Sequence, residues 1–105
     1  METAVKLDPK LAAAHNELGF LLARAGDAAG AVDHFRHAVE SAPAWTDAWV
    51  NLAAELAVLS RFSEARDAVA RALSIDPDNA DARALSDQLS RDPAAQKPAG
   101  PIPPS

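Results

Sequence analysis

Apolar residues along this chain of 105 residues recur three or four positions apart in four successive stretches. The stretches are Ala14, Leu18, Leu22 and Ala25; Ala31, Phe35, Ala38 and Val39; Trp49, Leu52 and Leu56; and Ala65, Val69, Ala72 and Leu73. This is helical spacing, with one face of each helix apolar. Breakers separate the stretches. Gly26 can take the left-handed conformation that ends a helix, and the Asp27 side chain can cap the next one. Ser60-Arg61 stands at the corresponding break further on, and Pro43 and Pro77 stop the second and fourth stretches, since proline cannot continue a helix. Thr46 is placed to cap the third helix. Trp45 before it can staple onto Val50 or serve as an exposed anchor for a partner. Asn79 is placed to cap a fifth helix that begins at Ala80.

A longer period lies over the short one. Pro9, Pro43 and Pro77 are 34 residues apart, and a shift of 34 superposes Ala14 on Ala48, Leu18 on Leu52, Leu22 on Leu56, Ala31 on Ala65, Asp33 on Asp67 and Ala38 on Ala72. Gly19 meets Ala53, Phe35 meets Val69, and Val39 meets Leu73. A repeat of this length, divided into two helices, can bury its apolar faces only against neighbouring repeats. That predicts an all-α fold, an α-solenoid of antiparallel helix pairs.

These residues resemble the tetratricopeptide repeat family. In the first unit the resemblance rests on Leu18-Gly19, Ala31, Phe35, Ala38 and Pro43, and in the second on Trp49, Leu52-Ala53, Ala65, Val69, Ala72 and Pro77. It covers roughly residues 4–90. His15 stands where the family has the aromatic represented by Trp49, and Ser60-Arg61 replaces the Gly-Asp turn. The organisation predicted is the end of a truncated preceding helix at 1–8, one unit at 9–43, a second at 44–77, a capping helix at 78–91 and a proline-rich flexible tail at 92–105.

The ends carry their own expectations. Ala4, Val5, Leu7, Asp8 and Pro9 align with Ala72, Leu73, Ile75, Asp76 and Pro77 at twice the period. The chain is therefore expected to open in the last turns of a second-type helix, leaving the helix at about 10–25 with a partly uncovered apolar flank. In the last helix Ser86 and Ser90 take the places of Leu52 and Leu56, which suits a terminal helix facing water, while Leu85 and Leu89 can pack backwards. The segment after Arg91 holds 5 of the 8 prolines and reads as polyproline II or irregular chain.

Composition narrows the chemistry. Of the residues, 26 are alanine, so helices must approach closely through small side chains around a few Leu, Val and Phe. The net charge is −5 and the basic residues are scattered, which argues against nucleic acid or an anionic membrane as partner. No cysteine is present, which excludes disulfides and thiol chemistry. No apolar run approaches a membrane span, and a cytoplasmic location is expected. His34 and His37 lie three apart beside Asp33, but no spacing supplies a third ligand, so no metal is expected. His15 reads as a packing residue with a hydrogen-bonded tip. Asp76, Asp78 and Asp81 surround a helix start, where carboxylates complement the helix dipole. Glu64 with Arg66, and Asp67 with Arg71, read as pairs along one helix. No catalytic constellation or cofactor motif is present.

The family resemblance implies a binding surface instead. Its members bind peptides or helices on a concave face lined by the first helix of each pair. Carried over by register, that face would hold Ala13, Asn16, Phe20, Ala23 and Arg24, then Asp47, Val50, Ala54, Ala57 and Val58, then Asp81, Ala84 and Gln88. Phe20, Val50 and Val58 would make its apolar centre, with Asn16, Arg24 and Asp47 to fix orientation. A family subtype that grips a C-terminal carboxylate needs Lys, Asn and Arg at set places. Only Asn51 matches that pattern, so this clamp is not expected. The function expected is non-catalytic interaction with another protein. Self-association into a scaffold, and service as an accessory subunit or excised segment of a larger enzyme, stand beside it as alternatives.

Overall fold

The computed structural model describes residues 8–91, which form five helices. They are α1 (Pro9–Arg24), α2 (Ala28–Ser41), α3 (Thr46–Val58), α4 (Phe62–Ile75) and α5 (Ala80–Arg91). The expected leading helix end at residues 1–7 and the proline-rich tail at 92–105 lie outside the described residues.

Local chemistry sets each boundary. The Asp8 carboxylate caps α1 by accepting from the backbone N–H groups of Lys10 and Leu11. α1 ends in a Schellman turn, with Gly26 at φ 89° and its N–H bonded to the Ala23 carbonyl, and the Asp27 N–H bonded to that of Leu22. The Asp27 side chain then caps α2 through the Gly30 N–H at 2.9 Å. The turn between α3 and α4 repeats this geometry without glycine. Ser60 adopts φ 62°, and the N–H groups of Ser60 and Arg61 bond to the carbonyls of Ala57 and Leu56. A non-glycine residue in this conformation costs on the order of 1 kcal/mol, and Arg61 supplies no side-chain cap. The sequence suggested Thr46 as the cap of α3, and it is not. It is the first helical residue, and Trp45 holds the cap position with no side-chain bond. Asn79 does cap α5, accepting from the Ala82 N–H at 2.8 Å.

Each helix packs on the next, most extensively within the pairs α1–α2 and α3–α4, and α3 also reaches α5. The Asp8 N–H donates to the Ser41 carbonyl at 3.0 Å and ties the start of α1 to the end of α2. Alanine lets the helices approach: Ala12, Ala31, Ala38, Ala48, Ala53, Ala65, Ala72 and Ala82 are wholly buried. Phe35 and Leu56 are the largest fully buried side chains, each contributing about 1.5–3 kcal/mol through burial. Leu85 and Leu89 pack back on this core as expected. The face of α1 does not. Ala14, Leu18 and Ala25, expected in its apolar stripe, are exposed, and the side that meets α2 is built on Ala12 and Gly19. A Cβ on Gly19 would stand 2.5 Å from the Phe35 ring, so glycine here lets that ring lie against the α1 backbone.

Charged side chains join helices more than the sequence suggested. Glu64 pairs with Arg36 of α2 at 2.7 Å and with Arg61 at 3.7 Å, not with Arg66. Arg71 lies over the Trp49 ring at 5.3 Å. Both Arg36–Glu64 partners are about half exposed, and such pairs are worth about 0–1 kcal/mol.

Candidate partner-binding groove

The first helix of each pair offers one turn of side chains after another to the same side, because residues in equivalent repeat positions keep equivalent directions. On α3 and α5 this produces a concavity. Ala54, Ala57 and Val58 of α3, Phe62 at the start of α4, and Leu85, Gln88 and Leu89 of α5 line a cleft of about 340 Å³. Most of that lining is apolar, with Gln88 its one amide side chain. Val58 is 67% exposed, far more than a core valine.

The structure thus brings four of the sequence-derived groove residues, Ala54, Ala57, Val58 and Gln88, around one cleft. Ala13, Arg24 and Asp47 are exposed, and Asn16 and Val50 are half-buried. Phe20 is 48% exposed and packs edge-on against Phe35, with ring centroids 5.6 Å apart and planes at 83°. Asn16 has a structural commitment: its Oδ1 accepts from Asn51 Nδ2 at 3.0 Å, linking α1 to α3. Phe62 and Leu85 were not placed in the groove by sequence. Phe62 begins a second-type helix, and only the packing of α4 against α3 and α5 brings it to the cleft.

A second cleft of about 250 Å³ lies among α2, α3 and α4, lined by Arg36, Trp49, Leu52, Leu56, Glu64, Asp67, Ala68 and Arg71. Its charges are largely answered internally by the Arg36–Glu64 pair and the Arg71–Trp49 stack. Trp49 is half-buried against the core and donates from Nε1 to the Pro43 carbonyl at 2.8 Å.

Three imidazoles gather where α1 meets α2. His15 Nδ1 lies 3.0 Å from His34 Nδ1, and the His15 ring stacks on His37 at 4.8 Å. His15 therefore has the hydrogen-bonded tip read from the sequence. The meeting of all three was not read there, although the repeat register points to it: a shift of 34 carries His15 and His37 onto the stacked pair Trp49 and Arg71. Burial first, then His37 and His34, hold the His15 imidazole below its ordinary value of 6.5, while Glu40 acts the other way. Burial pushes the Glu55 carboxyl up. Among the described residues no three His, Asp or Glu side chains converge to hold a metal ion. Among them, too, no helix is long and apolar enough to cross a membrane.

Comparison with known proteins fits this architecture. The family model for the tetratricopeptide repeat matches residues 22–89, about two thirds of the chain. An uncharacterized protein of Methanocaldococcus jannaschii is 39% identical over 51 residues, a stretch covering 49% of this chain and 59% of that protein. The chain thus spans about three fifths of the length of the curated relative it matches.

Proposed function

Because the chain belongs to the tetratricopeptide repeat family, we propose that it is a non-catalytic protein–protein interaction module that takes a peptide or helix of a partner protein in its groove. Repeats of this family generally mediate interactions between proteins. The observation that carries the reading is the apolar cleft between α3 and α5, with Val58 and, on α1, Phe20 left exposed. Covering such side chains gains about 25 cal/mol per Å² of apolar area removed from water. An amphipathic helix or an extended segment with apolar anchors is the ligand this lining suits. Asn51, already bonded to Asn16, gives no support to a carboxylate clamp.

The groove is tested with Phe20→Ala combined with Val58→Asp, the second placed in the cleft itself. Binding of a partner captured by the wild-type chain should weaken by roughly thirtyfold or more, the loss that follows removal of an interface anchor. Helicity by circular dichroism should stay nearly unchanged. Undiminished binding by the double variant would overturn the groove reading.

One observation favours a second reading, self-association. Leu11, Leu18 and Leu21 of α1 are all exposed, so apolar surface remains on the flank away from α2. Covering it with a second copy would give a scaffold built from this chain. Light scattering across a concentration series decides: a mass fixed at 11.0 kDa leaves the adaptor, and a mass rising to twice that supports the scaffold.

A further inference from the structure

The histidine cluster is a contact whose sign depends on protons. Two ring nitrogens 3.0 Å apart form a hydrogen bond only if one carries hydrogen and the other a lone pair. A neutral His15–His34 pair meets that condition, and so does a pair sharing one added proton. A pair with two added protons does not, since both nitrogens are then donors and both rings are cations. The third imidazole sharpens this, because His37 stacks on His15 at 4.8 Å and stands 6.4 Å from His34, ring centroid to ring centroid. The pair belongs to different helices, so its failure pushes α1 and α2 apart.

The surrounding charges do not cancel this effect. On α2, Glu40 is the acid that acts on His15 and favours its protonation, and it also lies 3.5 Å from His37 Nδ1. Arg36 is turned to Glu64, and Asp33 is exposed. On α1, Asp8, Lys10 and Glu17 are exposed, and Asp8 is engaged as the helix cap. From α3, the residue reaching this side of α1 is uncharged Asn51. One carboxylate thus faces three imidazoles among the described residues.

We propose that His15, His34 and His37 form a proton-operated latch between α1 and α2, closed at neutral pH and released on acidification. α1 is the helix such a latch would free first. Its other flank carries exposed Leu11, Leu18 and Leu21, and its remaining ties are the Asp8–Ser41 and Asn16–Asn51 bonds, buried Ala12, the packing of Leu22 and Ala23 on the core, and the contacts of Gly19 and Phe20 with Phe35. The direction follows from linkage. A base held down in the folded state binds protons better when the contact opens, so its contribution is whole above 6.5 and is lost as pH falls through the lowered folded value. Since α1 also carries Phe20, acid would discharge a partner from the groove. That consequence rests on the proposed function, whereas the latch itself is measured on the free chain.

The test uses the full chain with a chelator present, so that no metal bridges the imidazoles. Hydrogen exchange, corrected for intrinsic rates, is read by NMR at about pH 7.5 and about pH 5, since each unit of pKa displacement is a tenfold change in the opening equilibrium. Protection across residues 9–24 is expected to fall by about tenfold, while that of residues 62–91 holds. His34→Gln keeps a side chain that donates and accepts but cannot charge. In it the loss should shrink to about threefold or less, and His15 should titrate closer to its ordinary value. In the wild type the His15 imidazole should titrate below 6.5. Titration of His15 at its ordinary value would overturn the latch. So would unchanged protection of α1 in acid, or an equal loss in His34→Gln. Glu55 does not imitate the effect: its raised folded value makes it stabilising as pH falls, and it lies on α3.

Discussion

Phe35→Ala will lower the unfolding free energy by about 3–5 kcal/mol, the cost of removing a buried aromatic ring and leaving a cavity. Phe35 is 1% exposed, sits against the backbone of Gly19, and meets the Phe20 ring in a T-shaped pair. Its loss therefore empties the seam between α1 and α2 and strips Phe20 of its support. Small domains hold about 5 kcal/mol or little more in total, so a large part of the variant should be unfolded at room temperature. Urea denaturation followed by circular dichroism reads the change. The same seam gives a stricter check through its counterpart, where Ala53 takes the place of Gly19 and Val69 that of Phe35. Gly19→Ala alone forces a methyl into the Phe35 ring, an overpacking cost of about 1–3 kcal/mol, offset by about 1 kcal/mol of helix propensity. With Phe35→Val in place, the same methyl should become stabilising. A double-mutant cycle showing no coupling between these positions would refute the packing described.

Leu52→Ala should cost about 2–5 kcal/mol, and Leu18→Ala less than about 1 kcal/mol, although the two leucines occupy the same place in the repeat. Leu52 is 4% exposed, packed into the core of α2, α3 and α4, whereas Leu18 is 43% exposed on the open flank of α1. At this chain length each kcal/mol moves the thermal midpoint by roughly 4–8 °C, so melting curves of the two variants should separate widely. Equal losses would mean that the flank of α1 is covered in solution. Combined with a doubled mass in light scattering, that result would favour the scaffold over the adaptor.

Much of the fold was legible because its determinants are local. Gly26-Asp27 specified a turn through glycine's freedom at φ 89° and the reach of a carboxylate to the Gly30 N–H. Asn79 specified a helix start in the same way. The 34-residue spacing then implied helix pairs that bury their faces against one another. The misreadings are of another kind. Thr46 had a capping side chain, yet it became the first helical residue and the cap position fell to Trp45. Glu64 had a basic neighbour on its own helix, yet Arg36 reached it across the α2–α4 gap. At Thr46 the packing of neighbouring helices overrode a local capping preference, and at Glu64 it chose between two basic partners.

The groove was legible only as directions. Register assigned Phe20, Ala54 and Gln88 to equivalent places, but the cleft is made by Ala54 and Gln88 together with Phe62 and Leu85, whose positions depend on how α4 and α5 cross α3. The histidines show the same division. The sequence determined that His15 stands where Trp49 recurs, and that His34 and His37 share a helix. That His15 and His34 meet at 3.0 Å was decided by the packing of α1 on α2. Sequence by itself determined the repeat, its helices, their turns and which face of each is apolar, because periodicity and capping act within a few residues. Tertiary structure alone decided which apolar faces are covered, which charges pair and which imidazoles touch, because burial and contact depend on neighbours that the chain brings together only by folding.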